Sequence, residues 1–230
     1  MGAAADRTRR RDRTQQLSRN KIDMKELHHR VATFQAGNIS KHAEAWKKLT
    51  GDKFIIDIVT HGLLLNFHDN YRPSKYPFQY PRGKKETDVI NKEISDLLRK
   101  GVICISPPMP GDYFSNLFTR EKKDGTMRTI LNLKYLNEEC DTHHFKMETL
   151  KQALHMIQPN SYLASIDIKD AFYSVPIHPD HRKYLKFMWS DISLQFDVMP
   201  NGYRDAMRVF TKLLKPVFSS LRKKGFTSVI

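Results

Sequence analysis

Asp124-Gly125 constrains this chain more than any other pair of residues. Asp-Gly suits a tight turn with backbone in the left-handed region, and such turns join antiparallel strands. Apolar runs flank it at residues 114–119 and 128–133, with Arg120, Glu121, Lys122, Lys123 and Thr126 around the turn. A β-hairpin is therefore expected in the middle of the sequence. Helical periodicity lies on either side. Val89, Ile90, Ile94, Leu97 and Leu98 share one face of a helix expected over 87–100, with Thr87 or Asp88 to cap it and Gly101 to close it. Met147, Leu150, Ala153, Leu154 and Ile157 mark a second helix, ended by Pro159. A hairpin set between helices argues for an α+β fold over a regular βαβ alternation.

The other elements follow the same logic. A helix is expected around 42–49, ended by Gly51, and a short apolar element at 54–59, followed by Gly62. Residues 66–86 carry Pro73, Pro77, Pro81 and Gly83 and read as an extended connector. Residues 102–106 read as a short strand before Pro107 and Pro108, and residues 162–168 as a compact apolar strand ending in Asp167 and Asp170. A second hairpin is expected over 184–189 and 192–198, turning at Ser190-Asp191. Ala206, Phe210, Leu213, Leu214, Val217 and Leu221 then mark a long helix, from near Tyr203 to Gly225, which Pro216 should bend. Residues 226–230 read as the start of a strand.

Charge narrows the partner. Lys and Arg number 39 against 25 Asp and Glu, a formal net charge of 39 − 25 = +14. Such a balance suits a polyanion, because cationic side chains release the counterions condensed on nucleic acid. Arg7, Arg9, Arg10, Arg11, Arg13, Arg19 and Lys21 load the first 21 residues, which read as a disordered, solvated arm. Two cysteines, Cys104 and Cys140, imply no disulfide framework and fit a reducing compartment, cytoplasm or nucleus. Cys140 near His143 and His144 offers zinc ligands without a second cluster. No apolar run approaches the roughly 20 residues of a membrane span.

Three segments have the residue types that chemistry uses. Residues 165–172 (SIDIKDAF) end an apolar strand in carboxylates, which either cap a turn or hold a divalent metal. The hairpin tip, with Arg120, Lys122, Lys123 and Arg128, is either a solvated turn or a phosphate clamp. Residues 199–203 (MPNGY) lead into the long helix, as an ordinary connection or as a turn where backbone closely approaches a base or sugar.

In this order and spacing the segments resemble reverse transcriptases. Residues 118–125 (FTREKKDG) through 128–137 (RTILNLKYLN) resemble the family's fingers signature. Residues 167–177 (DIKDAFYSVPI) are similar to its first palm motif, and residues 199–216 (MPNGYRDAMRVFTKLLKP) to its helix-bearing second motif. The nearest flavour is the retrotransposon polymerase of the tyrosine-recombinase, or DIRS, type, over roughly residues 36–230. The resemblance implies the fingers and partial palm of a right-hand polymerase, with an incomplete antiparallel palm sheet. It divides the chain into a basic tail (1–35), a helical and extended connector (36–85), a fingers-like region (86–160) and a partial palm (161–230).

What the resemblance implies about chemistry is RNA-directed DNA polymerisation, a nucleotidyltransferase reaction on an RNA template and DNA primer with deoxynucleotide triphosphates. Asp167 would be the catalytic, metal-binding carboxylate of a site whose two Mg²⁺ ions lie about 4 Å apart. Ile168 would lend its carbonyl to one metal. Lys123 and Arg128 would hold the triphosphate. Asp170, Ala171 and Phe172 would line the nucleotide site, with Phe172 under the sugar, and Asn201 and Gly202 would line the base pocket. Departures count as well. Family members carry a Tyr-x-Asp-Asp turn where this sequence reaches Ile230, so Asp167 lacks its partners and the fragment is expected to be inactive alone. Arg204, Asp205 and Met207 stand where the family usually has small residues and a Pro, and Asp205 brings charge to a packed site. The alternatives are a non-catalytic nucleic-acid-binding protein and a retroelement remnant without function.

Overall fold

The computed structural model describes residues 34–68, 73–75, 82–157, 160 and 162–226. The chain divides into two units, Met1–Phe34 and Gln35–Ile230. The second unit is a mixed α and β structure with two small antiparallel sheets.

A 3-10 turn at Asn38–His42 leads into α1 (Ala43–Leu49). Asp52 starts α2 (Lys53–His61), its Oδ1 accepting from the Phe54 amide at 2.9 Å. The apolar element expected at 54–59 is this helix, and it buries Ile55, Ile58 and Val59. Gly62 ends it at φ 95°, with backbone of Ile177 and His178 so close that a Cβ would lie 2.6 Å from the His178 nitrogen. The approach lets the Leu63 amide donate to Pro176 O at 2.8 Å and the His178 amide to Leu63 O at 3.0 Å.

Helix α3 (Lys84–Arg99) begins three residues before the expected start. Neither Thr87 nor Asp88 caps it; Gly83 stands at the N-cap, and Glu86 falls in the first turn, where the helix dipole favours a carboxylate. Ile90, Ile94 and Leu97 face the core, and Gly101 closes the helix at φ 68°.

Strand β1 (Ile103–Ile105) follows, then the hairpin of β2 (Asn116–Glu121) and β3 (Met127–Asn132). Its register pairs Arg120 with Arg128 and Leu117 with Leu131. At the turn, Asp124 Oδ1 accepts from the Thr126 amide at 2.9 Å, and Gly125 takes φ 77°. Short helices α4 (Lys134–Glu138), α5 (Leu150–Met156) and α6 (Pro179–Arg182) precede β4 (Lys186–Trp189) and β5 (Ile192–Phe196). Ser190 and Asp191, at φ 46° and 63°, make the tight turn between β4 and β5. β5 lies between β1 and β4 in the three-stranded sheet. Helix α7 (Ala206–Lys223) runs through Pro216 without a break.

Lys186 joins the two sheets. Its amide donates to Tyr113 O at 3.3 Å and its carbonyl accepts from the Ser115 amide at 2.8 Å, just before β2. Its ammonium is 3% exposed and bonds to Asp112 Oδ2 at 2.7 Å and Pro107 O at 2.9 Å. Asp112 Oδ2 also accepts from the Met109 amide at 2.7 Å, so both buried charges are hydrogen-bonded.

Two expectations fail for one reason. Residues 162–168 do not form a strand, and Tyr162 and Ile166 are 103% and 88% exposed. No described strand pairs with them, and an apolar run without a ladder partner gains nothing from extended pairing. Helix α5 is shorter than its periodicity predicts, and Leu154 and Ile157 face solvent. Periodicity shows which face a helix can bury, and a neighbour must supply the surface. Of the strand expected at 226–230, only Phe226 is described, and it is exposed. The tail, much of the 66–86 connector and Pro159 lie outside the described residues. No helix among the described residues is long and apolar enough to cross a membrane.

Two stability outcomes follow. Lys186→Met leaves the Asp112 carboxylate buried without its cation and should cost about 3–5 kcal/mol. Lys186→Met with Asp112→Leu should recover most of that loss, read as the urea midpoint of each variant. Gly62→Ala should destabilise the chain by more than the roughly 1–3 kcal/mol of a left-handed φ alone, since its Cβ meets backbone, and the same midpoint reads the loss.

Candidate nucleotide and nucleic-acid interface

A cavity of about 570 Å³ lies between α3, the β2–β3 hairpin and the turn before α7. Arg128, Thr129 and Ile130 come from β3, and Lys122 from the hairpin loop. Glu93, Ile94 and Leu97 come from α3, while Tyr173, Asn201 and Gly202 come from the two later motif segments. Three segments far apart in sequence thus meet around one concavity, within the size range of small-molecule sites.

The contacts explain the arrangement. Asn201 Nδ2 donates to the Tyr173 hydroxyl oxygen at 3.0 Å, tying the second motif to the first. Burial, followed by the negative field of Glu93, pushes the Tyr173 phenol up to about 12, so it stays neutral. Gly202 holds φ 93°, a conformation that suits glycine. Asn137, after β3, donates from Nδ2 to Gly202 O at 2.9 Å and accepts the Arg204 amide on Oδ1 at 2.9 Å. The hairpin side therefore positions the 201–204 turn.

The expected residues distribute unevenly. Arg128, Asn201 and Gly202 line the cavity. Lys123 does not, and its neighbour Lys122 does; both are exposed at the hairpin tip. Asp170, at φ 56°, accepts on Oδ2 from the Lys100 ammonium at 2.8 Å. Ala171 O accepts from Ser174 Oγ at 2.6 Å in a short 3-10 helix, Ala171–Ser174. Phe172 sets its ring edge-on to Phe210 of α7, centroids 5.7 Å apart, and lies outside the cavity lining. Asp167 and Ile168 are exposed in the unpaired segment.

Mg²⁺ needs several oxygen ligands. Among the described residues, no three His, Cys, Asp or Glu side chains converge, and the Asp170 carboxylate already holds Lys100. The described residues therefore do not fit a two-metal site. The zinc grouping does not form either. Cys140 is buried, burial pushes its thiol up to about 12, and its Sγ donates to Leu136 O at 3.4 Å. Burial raises the Cys104 thiol to about 11, so neither cysteine is a ready thiolate.

Asp205 differs from expectation in an informative way. It is buried at the start of α7, but its charge is compensated. Oδ2 lies 2.6 Å from Arg208 and 3.1 Å from His143 Nδ1. Sequence reasoning gave no role to Tyr173, Asn137 and Glu93. Tyr173 falls inside the first palm-like motif and Asn137 ends the fingers-like one, whereas nothing in the sequence separates Glu93 from ordinary surface residues.

No family model matches the chain. It is similar to transposon polyproteins of Schizosaccharomyces pombe. It is 23% identical over 155 residues to the Transposon Tf2-3 polyprotein, covering 67% of this chain and 11% of that protein. The Tf2-4 and Tf2-5 polyproteins match at the same 23% identity and coverage. The chain thus spans about a tenth of the length of these curated relatives, 11% of each. This distant similarity supports a retroelement origin.

Asp205→Ala should destabilise the chain by about 3 kcal/mol, because it strips the partner from a largely buried guanidinium. Arg208→Met with Asp205→Leu should cost less than the single change, as measured by thermal unfolding. An Asp205→Ala variant as stable as the wild type would show the pair to be dispensable.

Proposed function

We propose that this chain is the fingers and partial palm of a reverse-transcriptase-like polymerase of retroelement origin, and that its hairpin cavity is a nucleotide site. One observation carries the reading: Arg128, Tyr173 and Asn201–Gly202, from the three segments that resemble the family's motifs, line a single cavity. On this reading residues 86–160 are the fingers and residues 161–230 the palm portion. The guanidinium of Arg128, with Lys122 and Lys123 beside it at the tip, neutralises a triphosphate through charge-assisted hydrogen bonds. Asn201 offers its amide, and the Gly202 backbone admits a base or sugar closely. Tyr173 keeps Asn201 oriented without adding charge. The partners would be deoxynucleotide triphosphates with an RNA template and DNA primer. Asp167 would be one carboxylate of a Mg²⁺ site whose other carboxylates the described residues do not provide.

The second reading, a nucleic-acid-binding protein without chemistry, is favoured by the isolation of Asp167 and the engagement of Asp170 with Lys100. Both readings keep the cavity and the basic hairpin.

Titration with a fluorescent deoxynucleotide triphosphate should show saturable binding. Arg128→Ala should weaken it about tenfold or more, the loss expected for charge-assisted bonds worth ~1.5–3 kcal/mol. Unchanged binding in Arg128→Ala would remove the nucleotide-site proposal. The purified 230-residue chain should incorporate no nucleotide on a primed RNA template with Mg²⁺ or Mn²⁺. Robust extension that Asp167→Asn abolishes would instead show a complete catalytic site.

A further inference from the structure

A second groove shares no lining residue with the hairpin cavity among the described residues. Its volume is about 780 Å³, and it runs between α7 and the α1–α2 region. One wall is a single face of α7, carrying Arg208, Lys212, Lys215, Ser219 and Lys223. Steps of 4, 3, 4 and 4 residues keep these side chains on one stripe. At 1.5 Å per residue the stripe extends roughly 22 Å. Lys48, Leu49 and Thr50 form the facing wall with Asp52 and Ile55, and His144 and Phe145 add to the lining.

The groove is strongly cationic. Among the described lining residues five are Lys or Arg and one, Asp52, is acidic, a balance of 5 − 1 = +4. Lys212 lies 3.6 Å from Asp52, with its ammonium 4.0 Å above the Phe54 ring. Arg208 is held by Asp205 at 2.6 Å. Among the described residues, no carboxylate lies within ion-pair distance of Lys48, Lys215 or Lys223, and all three are exposed. Like charges repeated one turn apart repel unless an anion lies along them.

We infer that this groove binds a nucleic-acid strand through its phosphate backbone, as a surface separate from the hairpin cavity. The cations are strung along a line and do not converge on a point, which suits a polyanion better than a single phosphate. The concave section fits a strand and not a flat bilayer, where a helix buries an apolar face among basic residues. Ser219 and Ser220 add hydroxyl donors of the kind that contact phosphate, and Phe145 offers an aromatic surface for a base. The inference rests on the groove alone and holds whether or not the hairpin cavity takes a nucleotide.

The test is fluorescence anisotropy with a labelled 20-nucleotide single-stranded RNA and the full chain, without nucleotide triphosphate, over a range of salt. Lys48→Ala/Lys215→Ala/Lys223→Ala should weaken binding at least tenfold at low salt. It should also lower the log–log salt slope by about 2, since each single-strand phosphate contact contributes about 0.7. The corresponding triple Lys→Arg variant should bind like the wild type, and both variants should keep the wild-type thermal midpoint. A triple-alanine variant that is folded and binds with unchanged slope would overturn the inference. So would phosphatidylserine vesicles that bind the chain more tightly than the RNA and depend on the same three lysines.

Discussion

The ion pair between Lys186 and Asp112 connects what would otherwise be two marginal sheets. A two-stranded hairpin is barely stable alone, and the three-stranded sheet is little larger. Lys186 bonds through its main chain to Tyr113 and Ser115, on the approach to β2, while its own residue begins β4. Its side chain crosses to Asp112 and Pro107. Burying two charges is costly, and the cost is offset because each has further hydrogen-bond partners. An apolar pair could fill the same space, but it would not hold the 107–112 loop by its carbonyl and amide. The hairpin that carries Arg128 is thereby held against the sheet that carries Phe187 and Phe196, and all three residues line one cavity.

The same dependence on distant partners explains the residues around α7. A carboxylate at position 205 looks misplaced when only neighbouring residues are considered. In the fold Arg208 lies one turn along and His143 comes from a separate loop, so the charge has two partners. Arg204 is likewise held, its guanidinium donating to Asn137 O at 2.9 Å and Cys140 O at 3.0 Å. These contacts fasten the turn before α7 to the segment after β3. Asn201 and Gly202 are thus braced from one side by Asn137 and from the other by Tyr173. The basic face of α7 has a different origin. Val209 and Leu213 bury one side of the helix, and Lys212, Lys215 and Lys223 fall on the stripe that borders it.

Local chemistry made much of this protein legible from its residues. Asp124-Gly125 and Ser190-Asp191 set both hairpin turns: Gly125 and Asp191 take positive φ at low cost, and the Asp124 side chain accepts from the Thr126 amide. The periodicity of Ile90, Ile94 and Leu97 set the buried face of α3, and Gly101 its end. The apolar spacing of Ala206 and Leu213 did the same for α7. Tertiary structure decided whatever needed a partner from elsewhere in the chain. Residues 162–168 have the composition of a strand and lie unpaired, since a strand exists only against a neighbour's hydrogen bonds. Tyr173, not Phe172, reaches the cavity, because Phe172 packs on Phe210, a residue 38 positions away. Charge pairing, burial and the meeting of three motif segments in one cavity are long-range properties. Their energies depend on distances between side chains, and only the folded chain sets those distances.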